Sequence, residues 1–361
     1  MVTLGFMSLS TSHEQGYAAE LASRTEAHQI QFVRFTPFDL SPDSMLINAL
    51  SYHTPSGQWN DSTIEIPEFI YDRCFYGRDS LSKKAKPIVD WLKKYPKTTF
   101  LGYGLADKWT IQNYLQSHAD LKAYLPDTSL VSGFSHIADL LMKEKACVLK
   151  PVSGGGGRGV ILLEFRDKTT KATYHFGKNK QIKRFASLNA LELWTKKVLL
   201  HSYMIQPYLS IQDKNGYPCD IRILLQKTKN GKWASVGKAV RKGYQYGFLS
   251  NLNGGAEILK FDEWFRSLPK MQQALLLDDI DTISTHVPQV LEEKHGPLFE
   301  LGLDICLAND GKVWLFDVNS KPGRKSILSA EPNTKDFLYE SPFNYCTYLM
   351  TPEAGGVIQH D

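Results

Sequence analysis

Residues 300–324 constrain the fold of this chain more than any other segment, because two alternating apolar runs there flank the dipeptide Asp310-Gly311. Both positions of the dipeptide tolerate positive φ, which is typical of a tight β-hairpin turn. If these two residues form the loop, Asn309 pairs with Lys312 and the register of both strands follows. One face of the hairpin is then predicted to lie in the core, and it consists of Leu301, Leu303, Ile305, Leu307, Trp314, Phe316 and Val318.

The other face of the predicted hairpin carries oxygen ligands. The register places Asp304 directly opposite Asp317, and Asn319 follows two residues later. Like charges opposed across two strands repel each other, so the pair favours a cation between them. Three oxygen ligands, with room left for phosphate oxygens, suit Mg²⁺. The alternative is a surface hairpin with a slipped register and solvated acids.

Length and composition bound the class of protein. At 361 residues, with 42% hydrophobic and 22% charged residues, the chain resembles an ordinary globular protein that buries a sizeable core. A formal charge of +4 gives no indication of nucleic-acid binding. Five scattered cysteines without a Cys-x-x-Cys spacing favour reduced thiols over disulfides or a zinc site. Because neither a signal peptide nor a membrane span is indicated, we expect a cytoplasmic protein without membrane contact.

The first hundred residues alternate between strand and helix patterns, which predicts a small α/β domain ending near Leu105. Its predicted elements are strands at 2–7, 30–35, 69–72 and 98–101, helices at 14–27 and 81–95, and a hairpin within 45–65. Further on, the stretch 166–184 is locally basic. We interpret it as a solvated connection, with contact to an anionic substrate as the alternative.

A glycine-rich segment follows a strand pattern that ends near Lys150. Gly154, Gly156 and Gly159 match G-x-G-x-x-G, but a strand pattern follows them instead of the helix that a dinucleotide fingerprint requires. A glycine-rich loop between two strands is typical of a flap whose bare N–H groups close over phosphate oxygens. Lys150 is placed to add a cation there. The alternative is a floppy surface turn.

Two further features fit a nucleotide cleft. In the extended apolar segment 203–209, Pro207 removes a donor and stiffens a crossover, which suggests a hinge with backbone groups free for adenine; an ordinary edge strand is the alternative. Arg222 and Arg241 each interrupt an apolar strand alternation, where an arginine is costly unless it meets an anion. Both are therefore candidates for contacts to a phosphoryl group, and a structural pair between Arg222 and a nearby acid is the alternative.

The order of these motifs is specific. It runs Ala106-Asp-Lys108, Leu149-Lys-Pro151 with the flap, Gln206-Pro207, Asp220-x-Arg222, residues 247–255, Glu300-Leu-Gly-Leu-Asp304 and Asp317-Val-Asn-Ser-Lys-Pro-Gly323. Over about residues 104–325 this resembles the ATP-grasp superfamily, and more narrowly its spore-coat-associated YheC/YheD-type family. Glutathione synthetase and D-alanine–D-alanine ligase are more distant relatives by pattern.

The resemblance implies an α/β (α+β) ATP-grasp fold in which two subdomains, residues 106–205 and 206–350, clasp ATP. Residues 1–105 would form the small domain that precedes the fold and would carry acceptor specificity, and residues 351–361 a C-terminal tail. ATP phosphates would be held by Lys108, Lys150, Ser153, Gly154, Gly155, Gly156 and Gly157. Adenine would be lined by Gln206, Pro207, Tyr208 and Leu209.

The same resemblance assigns the remaining positions. Metal would be bound by Asp304, Asp317 and Asn319, with two Mg²⁺ ions expected and Mn²⁺ as an alternative. The transferred phosphate and the acceptor would be faced by Arg222, Arg241, the Asn251–Gly255 loop and Arg324. Most relatives have Glu where this chain has Asp317, and the lost methylene shortens the reach to metal by roughly 1.5 Å. A single metal contact or an altered metal preference would follow.

Such a site implies transfer of a phosphoryl group from ATP to a carboxylate, giving an acyl phosphate that an amine or thiol attacks. The substrates would be a small-molecule or peptide carboxylate and an amine. Two alternatives stay open: a kinase of the same fold, and a spore-coat structural protein that keeps the shell without turnover, with spore-coat proteins as partners. The acceptor and the oligomeric state cannot be predicted from these residues.

Overall fold

The computed structural model describes residues 1–54, 56–77, 79–176, 179–213, 215–245, 247–248, 250 and 255–355. Within these residues, three β-sheets follow one another along the chain. Each sheet has helices packed on at least one face, so the α/β class expected from the sequence is confirmed.

The first sheet is built from the N-terminal hundred residues. Its strands are β1 (Thr3–Met7), β2 (Gln31–Phe35), β3 (Leu40–Ser41), β4 (Leu46–His53), β5 (Gln58–Glu65), β6 (Phe69–Asp72) and β7 (Thr99–Phe100). Strands β2, β1, β6 and β7 are parallel neighbours, and β4 joins β2, β3 and β5 in antiparallel pairs. The predicted helix at 14–27 is in fact two helices, α1 (Gln15–Ala22) and α2 (Thr25–His28).

Both faces of the parallel part of the first sheet, strands β1, β2 and β6, are buried, as expected where strands run parallel. Leu4 and Phe6 of β1 point to the face covered by α1, and Met7 points to the opposite face. Helix α3 (Ser80–Leu92) covers that opposite face. It begins after Asp79, whose carboxylate accepts the backbone N–H of Ser82 at 2.8 Å.

The second sheet is antiparallel and carries the glycine-rich segment. Helices α4 (Lys108–Gln116) and α5 (Ala119–Lys122) precede it. The sheet and its two covering helices comprise β8 (Ser129–Leu130), α6 (Phe134–Glu144), β9 (Ala146–Pro151), β10 (Ile161–Arg166), β11 (Thr169–Phe176), β12 (Asn179–Phe185), α7 (Leu188–Val198) and β13 (Tyr203–Pro207). The strand order is β12-β11-β10-β9-β13-β8, so β12 is an edge strand. Apolar side chains of α6 and α7 pack on this sheet in a core of its own.

The third sheet is also antiparallel, in the order β16-β15-β14-β17-β18. Its strands are β14 (Cys219–Lys227), β15 (Trp233–Lys242), β16 (Glu257–Lys260), β17 (Glu300–Leu307) and β18 (Val313–Asn319). The remaining helices are α8 (Phe261–Arg266), α9 (Lys270–His295), α10 (Lys325–Ala330), α11 (Lys335–Leu349) and α12 (Pro352–Gly355). Short 3-10 turns lie at Pro37–Asp39 and Pro332–Thr334.

Two cores meet on the third sheet. Helix α9 packs on one face together with α4 and α5, through residues such as Ile111, Leu121 and Ile283. The other face shares a core with the first sheet, to which α11 contributes Phe343. The domain boundaries expected at residues 105, 205 and 350 stay a prediction.

The hairpin of β17 and β18 contains the predicted pairing of Asp304 with Asp317. The turn itself differs from the expectation, because Ala308 rather than Asn309 is the partner of Lys312, with the Ala308 N–H donating to the Lys312 carbonyl at 2.9 Å. A β-bulge then absorbs the difference, since Ile305 pairs with Leu315 while Asp304 pairs with Asp317. The register predicted for the two aspartates is thereby restored.

The bulge also changes the side of the strand on which two aromatic residues lie. Val313 and Leu315 are the buried core residues near the turn, so the predicted core face was wrong for Trp314 and Phe316. The physical reason is that successive side chains of a strand alternate between the two faces of the sheet, so a shift of one residue moves them to the opposite face. Phe316 lies instead beside Lys150, whose Nζ is 4.9 Å from the ring centroid.

Candidate active site

The face of the third sheet opposite α9 carries a cluster of paired charges. Arg222 of β14 lies across from Asp304 of β17. Its Nε is 2.5 Å from Oδ1 and its Nη2 is 3.1 Å from Oδ2 of that aspartate. Gly302 makes room for this guanidinium, since a Cβ there would lie 3.2 Å from Arg222 Nη1 and 2.7 Å from Pro322 Cβ. Arg222 therefore forms a pair with a nearby acid, Asp304, as the alternative interpretation of its sequence position predicted.

Arg241 joins the same cluster from β15. It lies opposite Asp220 and binds both carboxylate oxygens, with Nε–Oδ1 at 2.6 Å and Nη2–Oδ2 at 2.7 Å. Its Nη2 is also 2.9 Å from Asp304 Oδ1, so two arginines share one aspartate. Ser250 Oγ donates to Asp220 at 2.5 Å. Sequence reasoning did not propose Asp220 as a site residue, although it opens the Asp-x-Arg motif.

Burial and pairing set the charges of this cluster. Burial would raise the pKa of Asp304, but the guanidinium groups of Arg222 and Arg241 outweigh it and hold that pKa below its usual range. Burial, together with the charge of Asp304, raises the pKa of Asp220 in spite of its partner Arg241. Asp304 is consequently the firmly ionised carboxylate of the two.

Lys108 reaches the hairpin from the start of α4. The helix begins there because the Asp107 carboxylate caps it, accepting the N–H groups of Trp109 at 3.0 Å and Thr110 at 3.1 Å. Lys108 Nζ lies 2.6 Å from both carboxylate oxygens of Asp317. The structure thus brings together two residues that sequence reasoning assigned to phosphate and to metal.

Asn319 and Lys150 complete this side of the cluster. Asn319 Nδ2 donates to Asp317 Oδ2 at 3.4 Å, which places the amide within reach of the second predicted metal ligand. Lys150 lies near the end of β9, beside the Phe316 ring. Burial, and then the charge of Lys108, lower the pKa of Lys150 to about 8. In the described part of the chain, its ammonium makes no salt bridge with a carboxylate.

The glycine-rich segment is a loop between β9 and β10, and a strand follows it as predicted. Its backbone uses the freedom of glycine, with φ of 135° at Gly154, 65° at Gly156 and 72° at Gly157. A Cβ at Gly154 or Gly155 would meet no atom within 4 Å, and Ser153 is exposed. The loop lies next to Lys150 in the chain and is open to solvent, so its role as a phosphate flap stays a prediction.

The predicted adenine segment runs from β13 toward the third sheet. Gln206 is buried and its Nε2 donates to Thr128 Oγ1 at 2.6 Å. Tyr208 packs against the small cluster of Val148, Leu162 and Phe248, and Pro207 and Leu209 are half-buried. Because β13 lies between β9 and β8, it is not the edge strand that was the alternative. The role of these residues toward adenine remains a prediction.

Arg324 lies apart from the two arginines of the cluster. Its Nη2 donates to the Tyr71 hydroxyl at 2.9 Å and its Nη1 to Glu14 Oε1 at 3.2 Å. The guanidinium lies 3.3 Å from the centroid of the Tyr17 ring. It therefore joins the N-terminal α/β unit to the segment that follows the hairpin of β17 and β18. Residues 251–254 of the predicted acceptor loop lie outside the described residues.

A second buried arginine strengthens this junction. Arg73 Nη1 donates to Glu300 Oε1 at 2.6 Å, and its Nε and Nη2 bind the Glu14 carboxylate at 2.8 and 2.9 Å. A surface depression of about 440 Å³ opens beside Arg324, and Glu14, Tyr17 and Tyr339 also line it. Sequence reasoning missed Arg73 and Glu14, because no local pattern links residues so far apart in the chain.

Comparison with known proteins identifies the family. Residues 97–349 match the family model described as YheC/D like ATP-grasp. The chain belongs to the YheC/D-like ATP-grasp family. It is 56% identical over 354 residues to the endospore coat-associated protein YheC of Bacillus subtilis (strain 168), and the alignment covers 98% of both chains. The family resemblance read from the sequence motifs is confirmed.

Solved structures confirm the ATP-grasp fold of this YheC/D-like protein. D-alanyl-alanine synthetase A from Vibrio cholerae O1 biovar eltor superposes with a TM-score of 0.55, covering 96% of this chain and 98% of that one at 10% identity. The D-alanine-D-alanine ligase from Coxiella burnetii gives a TM-score of 0.54, with 99% and 97% covered at 11% identity. The ATP-grasp fold implies the use of ATP and a divalent metal. None of the described helices combines the length and apolar character that a membrane crossing requires.

The hairpin fits such a metal. Asp304 and Asp317 are opposed across the two strands with Asn319 beside them, and all three offer the hard oxygen ligands that Mg²⁺ prefers. Both oxygens of Asp317 already face a cation, the ammonium of Lys108. Asp304 has three hydrogen-bond contacts to Arg222 and Arg241, which leaves a carboxylate little capacity for a further ligand. Asp317 is accordingly the better placed of the two aspartates.

Proposed function

We propose that this protein is an ATP- and Mg²⁺-dependent ligase that activates a carboxylate as an acyl phosphate for attack by an amine or thiol. The observation that carries the proposal is Lys150, a half-buried cation without a salt-bridged carboxylate among the described residues, placed between an open glycine loop and the acidic hairpin. A cation that has lost part of its hydration is stabilised by an anion, and phosphate oxygens are the anions that the ATP-grasp fold brings.

Lys150 and Lys108 are the residues that we assign to the phosphates. Lys150 has no salt-bridged carboxylate to release among the described residues. Lys108 first has to release at least one oxygen of Asp317, to which it is held at 2.6 Å. We therefore infer that phosphate binding at Lys108 and metal binding at Asp317 occur together. Mg²⁺, held by Asp317, Asn319 and Asp304, would supply charge neutralisation for the transferred phosphoryl group.

Arg222 and Arg241 are held rigidly enough to stabilise charge in the transition state. Each binds an aspartate through two nitrogens, so their positions are fixed before substrates arrive. The reaction requires no side-chain nucleophile, and the thiol at the site is unsuited to be one. Cys306 is buried, and burial raises its pKa well above the usual range, as it does for the other four cysteines.

We place the acceptor in the depression between the N-terminal unit and helix α10. This depression lies beside Arg324 and is lined by cationic, acidic and aromatic side chains, namely Lys325, Glu14, Tyr17 and Tyr339. Such a lining suits a small molecule or peptide that carries a carboxylate. Because the Bacillus subtilis relative is an endospore coat-associated protein, we also propose a role at the endospore coat.

Coupled product assays test the proposed reaction. With ATP, Mg²⁺ and a library of acids and amines, ADP is expected only when an acid and a nucleophile are both present, with phosphate released in step. Lys150→Met should abolish turnover, while Lys143→Met, which changes an exposed lysine of α6, should not. Labelled γ-phosphate that stays on the product would establish a kinase instead. Binding of ATP without turnover under any condition would favour a structural protein of the spore coat.

A further inference from the structure

A second group of ligand-type side chains lies outside the site described above. His118, Asp120 and His286 bring one ligand atom each to within 4.8 Å of one another. The His118 and His286 rings have centroids 5.0 Å apart. His286 Nε2 is 3.8 Å from Asp120 Oδ2, which is too long for a hydrogen bond and leaves a gap between the three groups.

The backbone that carries these residues is held by packing. His118 precedes α5, Asp120 lies in the first turn of α5, and His286 lies in α9. Leu121 of α5 and Ile283 of α9 are both fully buried in one core cluster. The three ligands therefore come from two packed elements and do not depend on a loose loop to meet.

The side chain of His118 provides a second, independent observation that points to a ligand. Its Nδ1 is buried and has no hydrogen-bond partner among the described residues. A buried imidazole nitrogen is normally paired, because leaving it without a partner costs free energy. A metal ion is a partner that such a nitrogen accepts, provided that the ring is neutral.

We propose that His118, Asp120 and His286 form a binding site for a divalent transition metal, for which Zn²⁺ is the best candidate. Two imidazoles and one carboxylate match the three-ligand zinc sites that leave a fourth position to water. Bonds of about 2.0–2.2 Å require the ligand atoms to approach within about 3.5 Å of each other. Rotation of the side chains would have to close the present spacing, in which the ligand atoms lie within 4.8 Å of one another. One carboxylate among two nitrogens does not suit Mg²⁺ or Ca²⁺.

The position of the site indicates a structural role. A metal bound there would fasten α5 to α9 at the end of α4 that lies farther from Lys108. Because α4 starts at Lys108, the ion would help to hold the helix that delivers this lysine to Asp317. The inference does not depend on the proposed ligase reaction, since it concerns metal binding and stability only.

Zinc binding to the full-length, chelator-stripped protein tests the proposal directly. Calorimetry should show one Zn²⁺ site per chain, and Zn²⁺ should raise the melting temperature by mass action. His286→Gln and Asp120→Asn should each weaken this affinity by about tenfold or more. His201→Gln, which removes an exposed histidine outside the group, is the matched control and should leave the affinity unchanged.

Cobalt separates this site from the acidic hairpin. Co²⁺ in a four-coordinate site of nitrogen and oxygen ligands absorbs visible light much more strongly than six-coordinate Co²⁺ on oxygens. We expect the strong absorption in the wild type and in Asp317→Asn, and its loss in His286→Gln. If zinc affinity is unchanged in both His286→Gln and Asp120→Asn, or if only Asp317→Asn abolishes binding, the proposal is wrong. Asp120 is largely exposed, so its variant tests the idea even if His286→Gln does not fold.

Discussion

At the scale of single residues, the surroundings of Lys150 decide whether its side chain is charged near neutral pH. Burial and the neighbouring charge of Lys108 lower its pKa to about 8, so it changes charge close to neutral pH. A phosphate oxygen beside the ammonium would favour the protonated form. ATP binding should therefore take up a proton whenever Lys150 starts out partly neutral.

This predicts a pH dependence of ATP affinity with a definite sign. Lys150 is protonated below its pKa of about 8 and neutral above it, so affinity should fall as pH rises. If only the protonated form binds, the loss between pH 7 and pH 9 is about tenfold, the ratio of the protonated fractions. Calorimetry in buffers of different ionisation enthalpy measures both the affinity and the proton uptake. Lys150→Met should abolish the dependence, and a flat profile in the wild type would contradict the assignment.

Replacement of Lys108 should change metal affinity and ATP affinity in opposite directions. Its ammonium occupies both oxygens of Asp317, so Lys108→Met should free that carboxylate. We expect Mn²⁺, measured by calorimetry without nucleotide, to bind more tightly to the variant than to the wild type. ATP should bind more weakly, by about 1.5–3 kcal/mol for a lost charged hydrogen bond. Lys143→Met, on an exposed side chain of α6, serves as the control. If both Mn²⁺ and ATP bind more weakly to the variant, Lys108 stabilises the structure of the site and does not compete with the metal.

At the scale of elements, the two loops that flank the site are built differently. The turn of the β17–β18 hairpin is followed by a bulge that re-aims Phe316 toward Lys150, so it belongs to a paired, packed ladder. The glycine loop between β9 and β10 has open space around Gly154 and Gly155. Loops with few contacts contribute little to stability and are the usual source of moving lids.

Shortening the glycine loop should therefore impair function more than folding. Deletion of two residues from Gly154–Gly157 is expected to leave the melting temperature without ligand nearly unchanged and to reduce the shift caused by ATP and Mg²⁺. Gly159→Ala provides the contrast, since Gly159 has a φ of 76° and a Cβ there would lie 2.9 Å from Pro151 Cγ. That variant should lose about 1–2 kcal/mol of stability. A large loss of stability in the deletion would mean that the loop is structural.

At the scale of the whole molecule, the N-terminal unit and the third sheet are joined by a buried charge network. Arg73 is fully buried and binds both Glu14 and Glu300, and Arg324 adds contacts to Glu14 and Tyr71. Glu14 keeps a pKa below its usual range because Arg73 and Arg324 outweigh the effect of burial. Such networks are weak evidence for stability, but breaking one leaves a buried charge without its partner.

Glu300→Gln tests this junction. The substitution keeps the shape and removes the charge that faces Arg73 at 2.6 Å, so we expect a loss of about 3–5 kcal/mol in the free energy of unfolding, measured with urea. Glu263→Gln is the control, because Glu263 forms an exposed ion pair with Lys260 that contributes little. Equal stability of the two variants would show that Arg73 is satisfied without Glu300.

The sequence by itself determined features that depend on a few neighbouring residues, and it determined the order in which the motifs follow one another. Asp310-Gly311 and the flanking alternation predicted the hairpin, and consecutive glycines followed by a strand pattern predicted the loop between β9 and β10, because turn chemistry and side-chain period act over a few residues. The order of motifs was enough to identify the family. Even so, the turn was one residue off and only the bulge restored the aspartate pair, since bulges leave no pattern of their own.

Only the tertiary structure decided which charges meet. Lys108 and Asp317 are 209 residues apart, and Arg73 and Glu300 are 227 apart. Sequence reasoning gave Lys108 to phosphate and Asp317 to metal without expecting them to bind each other, and it missed Arg73 entirely. The physical reason is that a buried ion requires a partner of opposite charge. Which residue lies close enough to be that partner depends on how the sheets and helices pack, and not on the sequence around the ion.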